Sequence, residues 1–173
     1  MLFYLIQTNF VVFTILVFLY IFLLTNQTIE KQTTGLFLMA GIIVNILMVA
    51  DMLDYYYASL NVPVVSRYIT SATGYTLRPC VIISILLNQN KDEKRMNLYL
   101  TIPFAVNAAV AYSSMFTSWM FYFDANNQFH RGPLWLLPFL LSGYYLLVLS
   151  YWAFQRFRIG DRKESAVILL VAL

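Results

Sequence analysis

The chain has 173 residues, of which 61% are hydrophobic and only 11% are charged, whereas ordinary soluble domains carry about 25% charged residues. With a mean hydropathy of +0.70, the composition excludes an ordinary soluble domain, because long helices that are apolar on every side cannot all be buried in its core. The net charge of +3 does not indicate nucleic-acid binding, since the basic residues lie mostly in short loops where membrane topology explains them.

Five long apolar stretches and a partial sixth follow one another along the chain. Each complete stretch has about the 17–25 residues that a helix needs to cross a hydrocarbon core of roughly 30 Å. The sequence therefore predicts an all-α, polytopic transmembrane helix bundle with spans at residues 3–24, 35–52, 68–87, 98–116, 134–154 and, in part, 166–173. Because the sixth stretch is cut off, we expect a single transmembrane domain that is truncated from a longer protein.

The positive charges in the loops predict which way the helices cross the membrane. The loops after the odd-numbered stretches hold eight lysine and arginine residues, and the loops after the second and fourth hold one each, Arg67 and Arg131. By the positive-inside rule the odd-numbered loops face the cytoplasm, so Met1 is expected outside the plasma membrane. A seventh span would be needed to return the chain to the cytoplasm, a topology that suits a receptor with a cytoplasmic output domain.

The outer loop between the fourth and fifth stretches is rich in aromatic residues. They lie on both sides of an Asp-Ala-Asn-Asn sequence at residues 124–127. This pattern favours a short β-hairpin on the outer face. The alternative is an irregular aromatic loop that lies on the lipid headgroups.

Three charged side chains are predicted at membrane depth, where charge is costly and marks a functional hypothesis by default. Asp51 and Asp54 share one helix face near the outer end of the second stretch. Arg78, in the third stretch, can reach outward toward Asp51, and an ion pair between them would hold the two helices together. Two interpretations stay open: a structural clamp without a ligand, or part of a ligand pocket or switch.

Four further residues complete the candidate set. Pro79 removes a backbone hydrogen bond from the third stretch and predicts a kink, which either lines a cavity or only shapes packing. Asn107 is expected to hydrogen-bond to another helix or to contact a ligand. In the outer loop, His130 is either an exposed residue or a pH sensor, and its neighbour Arg131 is a further ligand candidate.

No catalytic, metal-binding or cofactor-binding pattern is visible in the sequence. There is one cysteine, Cys80, and one histidine, which cannot form a disulfide within the chain or supply a structural zinc site. Glycine-rich phosphate loops and the common hydrolase motifs are missing as well. We therefore expect no catalytic residues, metal or cofactor in this segment.

Several short motifs together resemble a known family. They are Asp51 with Asp54, the run Thr76-Leu77-Arg78-Pro79, the aromatic residues at 119–123 and the run at 129–134. In these features the chain resembles the N-terminal membrane region of bacterial GGDEF-type diguanylate cyclases and, second, that of membrane histidine kinases. The resemblance implies a sensor of an unknown small-molecule or lipid cue, and it assigns no ligand residues. It also implies a cytoplasmic output domain, dimeric when active, which would lie beyond Leu173, so the segment itself is not expected to be an enzyme.

Two other classes of membrane protein stay open. A small-solute transporter or transporter subunit would suit broken spans with buried charge, although no repeat between the two halves is visible. A membrane enzyme with lipid or isoprenoid substrates would need carboxylates or histidines clustered at one depth. Asp51 and Asp54 are the only such cluster in the sequence.

Overall fold

A computed structural model describes residues 2–25, 31–60, 65–89 and 94–159, and the predicted partial span at 166–173 lies outside these described residues. Within them the chain forms five α-helices and one two-stranded sheet, which confirms the mostly helical architecture. In chain order the elements are α1 (Leu2–Thr25), α2 (Lys31–Ala58), α3 (Val65–Gln89), α4 (Lys94–Thr117), β1 (Phe121–Phe123), β2 (Phe129–Arg131) and α5 (Leu137–Ile159).

Four of these helices are long and apolar enough to cross a membrane, which indicates a membrane protein. Their apolar segments correspond to the second to fifth predicted spans: Thr34–Ala58, Val65–Leu87, Asn97–Thr117 and Leu137–Gln155. In α1 the apolar segment with described side chains, Phe10–Thr25, is shorter. The count of five full spans therefore stays a prediction.

The helix α3 lies at the centre of the bundle. It packs against α2, α4 and α5, whereas α1 packs on α2. Half of the apolar segment of α3 is buried, compared with 17% of that of α2. The sequence explains this position, because α3 carries small and hydroxyl-bearing residues at 70–74 and 76, and such residues let helices approach closely inside a membrane.

Two buried clusters fill the space around α3. One joins Ile83 and Leu86 of α3 to Leu100 of α4 and Tyr145 of α5, and the Tyr145 hydroxyl donates a hydrogen bond of 2.6 Å to the Leu100 carbonyl oxygen. The other forms where the helices meet the sheet, and it contains Ala72, Tyr75, Ala111, Met120, Phe121 and Phe123. The second cluster fixes the sheet against α3 and α4.

The predicted β-hairpin is confirmed. β1 and β2 pair antiparallel, with Tyr122 opposite His130. The chain leaves α4 through Ser118, whose φ of 56° is left-handed, and the Ser114 hydroxyl accepts a hydrogen bond of 3.1 Å from the Met120 N–H. This tight turn reverses the chain over the end of the bundle and places β1 against α3.

The helices α2 to α5 all begin and end one or more residues away from the predicted spans, and two of these differences have a local cause. α2 continues to Ala58 instead of ending near residue 52, because Asp54 and the tyrosines after it make the last turns more polar without interrupting the helix. α5 begins at Leu137 instead of 134, because the Leu134 N–H donates to the Trp119 carbonyl oxygen at 2.8 Å. That bond ties residue 134 to the base of the hairpin.

Candidate functional site

A half-enclosed polar cavity of about 240 Å³ lies between α2, α3 and β2. It contains all three charged side chains that the sequence placed at membrane depth. The residues that line it are Asp51, Asp54, Thr70, Ser71, Gly74, Tyr75, Arg78 and Phe129. The antiparallel packing of α2 on α3 brings the acidic and basic residues together, and the hairpin covers them with an aromatic ring.

The ion pair at this end of the bundle has other partners than the sequence predicted. Arg67 Nε lies 3.4 Å from Asp54 Oδ1, and in the described part of the chain Arg78 and Asp51 form no ion pair. Arg67 stands in the first turn of α3, beside the last turns of α2, whereas Arg78 is eleven residues further along, or roughly 16 Å. The Arg78 guanidinium instead lies 5.5 Å from the centre of the Tyr75 ring.

Arg67 is a key residue that sequence reasoning missed, because it was treated only as a loop charge. Its side chain is almost fully buried, and its guanidinium donates to the backbone oxygen of Asn127 and, at 2.7 Å, to Asn127 Oδ1. It also lies 4.2 Å from the centre of the Phe123 ring. A signal was present in the sequence, since this arginine begins a stretch that must pack beside Asp54.

Asn127 is the residue of the hairpin turn that contacts both helices. Its φ of 59° is left-handed, a conformation that asparagine tolerates better than most residues. Its side-chain Nδ2 donates hydrogen bonds of 2.8 Å to the carbonyl oxygens of Tyr57 and Leu60. These carbonyls lie at the end of α2 and just beyond it, where the regular helical donors run out, and the Tyr57 oxygen also accepts from the Leu60 N–H at 3.1 Å. The side chain of Asn127 therefore caps α2.

The two aspartates of the cavity differ in their contacts. Asp54 Oδ1 accepts a hydrogen bond of 2.7 Å from Ser71 Oγ in addition to its ion pair with Arg67. Asp51 makes no hydrogen bond or ion pair with any residue that the structure describes, although Arg78 is close enough to act on it electrostatically. Asp54 is therefore a structural residue, and Asp51 is the carboxylate left open to the cavity.

The two outer-loop candidates lie outside the cavity. His130 Nε2 is 3.0 Å from Asp124 Oδ2, and Arg131 lies 4.3 Å from the centre of the Trp135 ring. The hydrogen bond with His130, helped by backbone N–H groups of the turn, lowers the pKa of Asp124. Because the folded state favours the ionised carboxylate, this contribution to stability is present above the ordinary pKa and is lost as pH falls through the lowered one.

Pro79 and Asn107 are brought together by a backbone carbonyl. Pro79 has no N–H, so the Tyr75 carbonyl oxygen four residues earlier loses its helical donor. Asn107 Nδ2, on α4 and fully buried, donates to that oxygen at 3.2 Å. α3 therefore continues through Pro79 as one helix, and of the two roles considered for Asn107 the structure contains the hydrogen bond between helices.

Asn107→Leu is expected to lower the free energy of unfolding by about 1–2 kcal/mol, because the Tyr75 carbonyl would be buried without a donor. Pro79→Ala restores the missing N–H. In a Pro79→Ala protein, Asn107→Leu should therefore lower the free energy of unfolding by much less. Unfolding of the four proteins of this double-mutant cycle in detergent measures the difference. An equal cost in both backgrounds would show that Asn107 does not replace the lost N–H.

No family model matches this chain, and comparisons with curated proteins and with solved structures give no match either. The fold and the site define a class: a helical membrane protein with a charged cavity at one end, covered by a short hairpin. Its function is therefore inferred from the cavity.

Proposed function

We propose that the chain is the membrane sensory domain of a bacterial signal-transduction protein, and that its cue binds in the polar cavity. The observation that carries this proposal is that only one of the two aspartates in the cavity is paired: Asp54 forms an ion pair with Arg67. Asp51 and Arg78 both line the cavity without pairing with each other among the described residues. Both side chains are exposed. Unpaired charge is costly where a helix crosses the membrane, so two opposite charges held apart in an open cavity favour a ligand site over a structural clamp.

The position of the cavity favours a sensor over a transporter. A transporter binds its substrate near the middle of the membrane, where discontinuous helices line the site. Here α3 is continuous through Pro79, and the cavity is covered at one end of the bundle by a hairpin that Arg67 and Asn127 fix to α2 and α3. This arrangement suits a site that opens to one side only.

A cue in the cavity would act on the central helix. Phe129 belongs to the hairpin, whereas Tyr75 and Arg78 belong to α3, so a ligand that touches both would bias the position of α3. Asn107 joins the same turn of α3 to α4. A bias of about 1–3 kcal/mol between two packings is enough for such coupling.

The proposed protein lies in the plasma membrane with Met1 and the hairpin outside, as the loop charges predict. Its output domain, a diguanylate cyclase or a histidine kinase that is active as a homodimer, would receive the signal in the cytoplasm. The sensory segment itself has no proposed enzyme activity.

The test compares the full-length protein with its Arg78→Gln and Arg131→Gln variants in cells. Cyclic di-GMP or kinase autophosphorylation is measured, according to the output domain. Arg78→Gln is expected to change the output by about fivefold or more, whereas Arg131→Gln should leave it unchanged because Arg131 lies outside the cavity. If Arg78→Gln reaches the membrane in normal amounts and its output equals that of the wild type, the proposal is wrong.

A further inference from the structure

We infer that the cavity binds a small zwitterion, with the cationic group of the ligand at Asp51 and its anionic group at Arg78. This inference rests on the proposed function only in taking the cavity as the binding site. It adds the chemical class of the ligand, which follows from the charges, the size and the walls of the cavity.

In the described part of the chain, the cavity contains one unpaired acidic group and one unpaired basic group, so a ligand must carry both charges to match them. Asp54 forms an ion pair with Arg67 at 3.4 Å, whereas Asp51 and Arg78 form none with any described residue, so the cavity holds one unpaired negative and one unpaired positive group. A zwitterion satisfies both groups at once. A simple cation at Asp51 would be repelled by Arg78, and a simple anion at Arg78 would be repelled by Asp51, because the two groups are close enough to interact electrostatically.

A metal ion fits the site poorly. Among the residues that the structure describes, no group of three or more histidine, cysteine or acidic side chains could hold one. The Arg78 guanidinium would also oppose a second positive charge in the same cavity. An organic ammonium group needs only one carboxylate and a partly apolar surrounding, which Asp51 and the neighbouring rings provide.

The size and the walls of the cavity indicate a small ligand with an apolar part. A volume of about 240 Å³ is below the roughly 300–1,000 Å³ of sites for drug-sized molecules. Tyr75 and Phe129 both stack on Phe121, at ring-centre distances of 5.4 and 6.0 Å. These rings form an aromatic wall from α3 to the hairpin, while Thr70 and Ser71 line the polar part.

Gly74 leaves room beside the free carboxylate. A Cβ atom added at this position would lie 4.0 Å from Asp51 Oδ1 and would meet no closer neighbour. Gly74→Ala therefore fits the fold and narrows the cavity next to Asp51. Gly143 on α5 is a matched control, because a Cβ there has no atom within 4 Å.

The experiment measures binding to the purified full-length protein in lipid nanodiscs by calorimetry. Each proteinogenic amino acid is a zwitterionic probe, and the tightest binder is compared with its decarboxylated amine and its deaminated acid. We expect at least one amino acid to bind, and to bind at least about tenfold more tightly than either analogue, because each analogue leaves one charge of the cavity unmatched.

Four variants test which residue binds the cationic group of the ligand and which binds the anionic group. Asp51→Asn should weaken binding of the zwitterion and the amine by about tenfold or more, and it should strengthen binding of the acid because the repelling carboxylate is gone. Arg78→Gln should weaken binding of the zwitterion and the acid but not of the amine. Gly74→Ala should weaken binding of all three ligands, whereas Gly143→Ala should leave binding of all three unchanged. This second pair keeps the test valid if a charge variant fails to fold.

The inference is overturned if no amino acid binds, if the amine or the acid binds as tightly as the zwitterion, or if Asp51→Asn and Arg78→Gln have the same selectivity as the wild type. These results leave the sensory proposal standing as long as Arg78→Gln alters the output in cells. Conversely, selective zwitterion binding without any change in output would support the ligand class and contradict the sensory role.

Discussion

Arg67→Ala is expected to be the most destabilising of the substitutions considered, with a loss of about 3–5 kcal/mol in the free energy of unfolding, because two hydrogen bonds from a charged group are each worth about 1.5–3 kcal/mol. The substitution removes the partner of Asp54, two hydrogen bonds to Asn127 and the contact with the Phe123 ring. Asp54 is partly exposed and keeps its hydrogen bond from Ser71, so most of the cost comes from the backbone and side-chain oxygens of Asn127, which lose their buried donor. The hairpin would then lose its attachment to α2 and α3.

The matched control for Arg67 is Arg131. It is exposed and lies over the Trp135 ring, a contact worth about 0.5–1 kcal/mol at an exposed site. Thermal and denaturant unfolding of Arg67→Ala and Arg131→Ala in the same detergent gives the comparison. If both variants lose the same small amount of stability, Arg67 does not hold the hairpin in the way described.

Gly132→Ala is expected to lower the free energy of unfolding by about 2–3 kcal/mol, through overpacking at the base of the hairpin. A Cβ at this position would collide with the backbone carbonyl oxygens of Ser118 and Trp119. Backbone atoms cannot move aside as a flexible side chain does. The clash would also disturb the hydrogen bond of 2.9 Å from the Gly132 N–H to the Met120 carbonyl oxygen.

Gly143→Ala serves as the control for this glycine, since it adds the same methyl group within α5 with no atom nearby. Alanine is the better helix former by roughly 0.5–1 kcal/mol, so this variant should be as stable as the wild type or slightly more stable. Amide exchange of the hairpin, measured alongside global unfolding, shows where Gly132→Ala acts. Equal stability of the two variants would contradict the close approach at Gly132.

The elements that the sequence predicted well are those with a strong local signal. The second to fifth apolar stretches correspond to α2 to α5, because hydrophobic length alone decides whether a helix can cross a membrane. The hairpin was predictable from its turn residues and flanking aromatics. The beginning of α5 was not, because a bond to Trp119 holds Leu134 outside the helix.

The candidate site was predictable in its composition but not in its pairing. Charge at membrane depth identified Asp51, Asp54 and Arg78, which all line one cavity. Helix spacing could not reveal that Arg67 forms the ion pair with Asp54. The position of the Arg67 side chain depends on its hydrogen bond to Asn127, in a turn 60 residues further along the chain. Asn127 was missed for the same reason, since its contacts with Arg67 and α2 exist only once the hairpin folds back over the bundle.

Labelling of single cysteines in intact cells tests most directly whether the cavity end of the bundle faces outward. In a Cys80→Ser background, Asn126→Cys lies in the hairpin turn and Gln155→Cys lies 18 residues beyond the start of α5, about 27 Å along the helix. Both positions are exposed in the structure. A membrane-impermeant maleimide should label Asn126→Cys before lysis and Gln155→Cys only after it. Labelling of Gln155→Cys alone, or of both positions, in intact cells would contradict a cavity that receives its cue from outside.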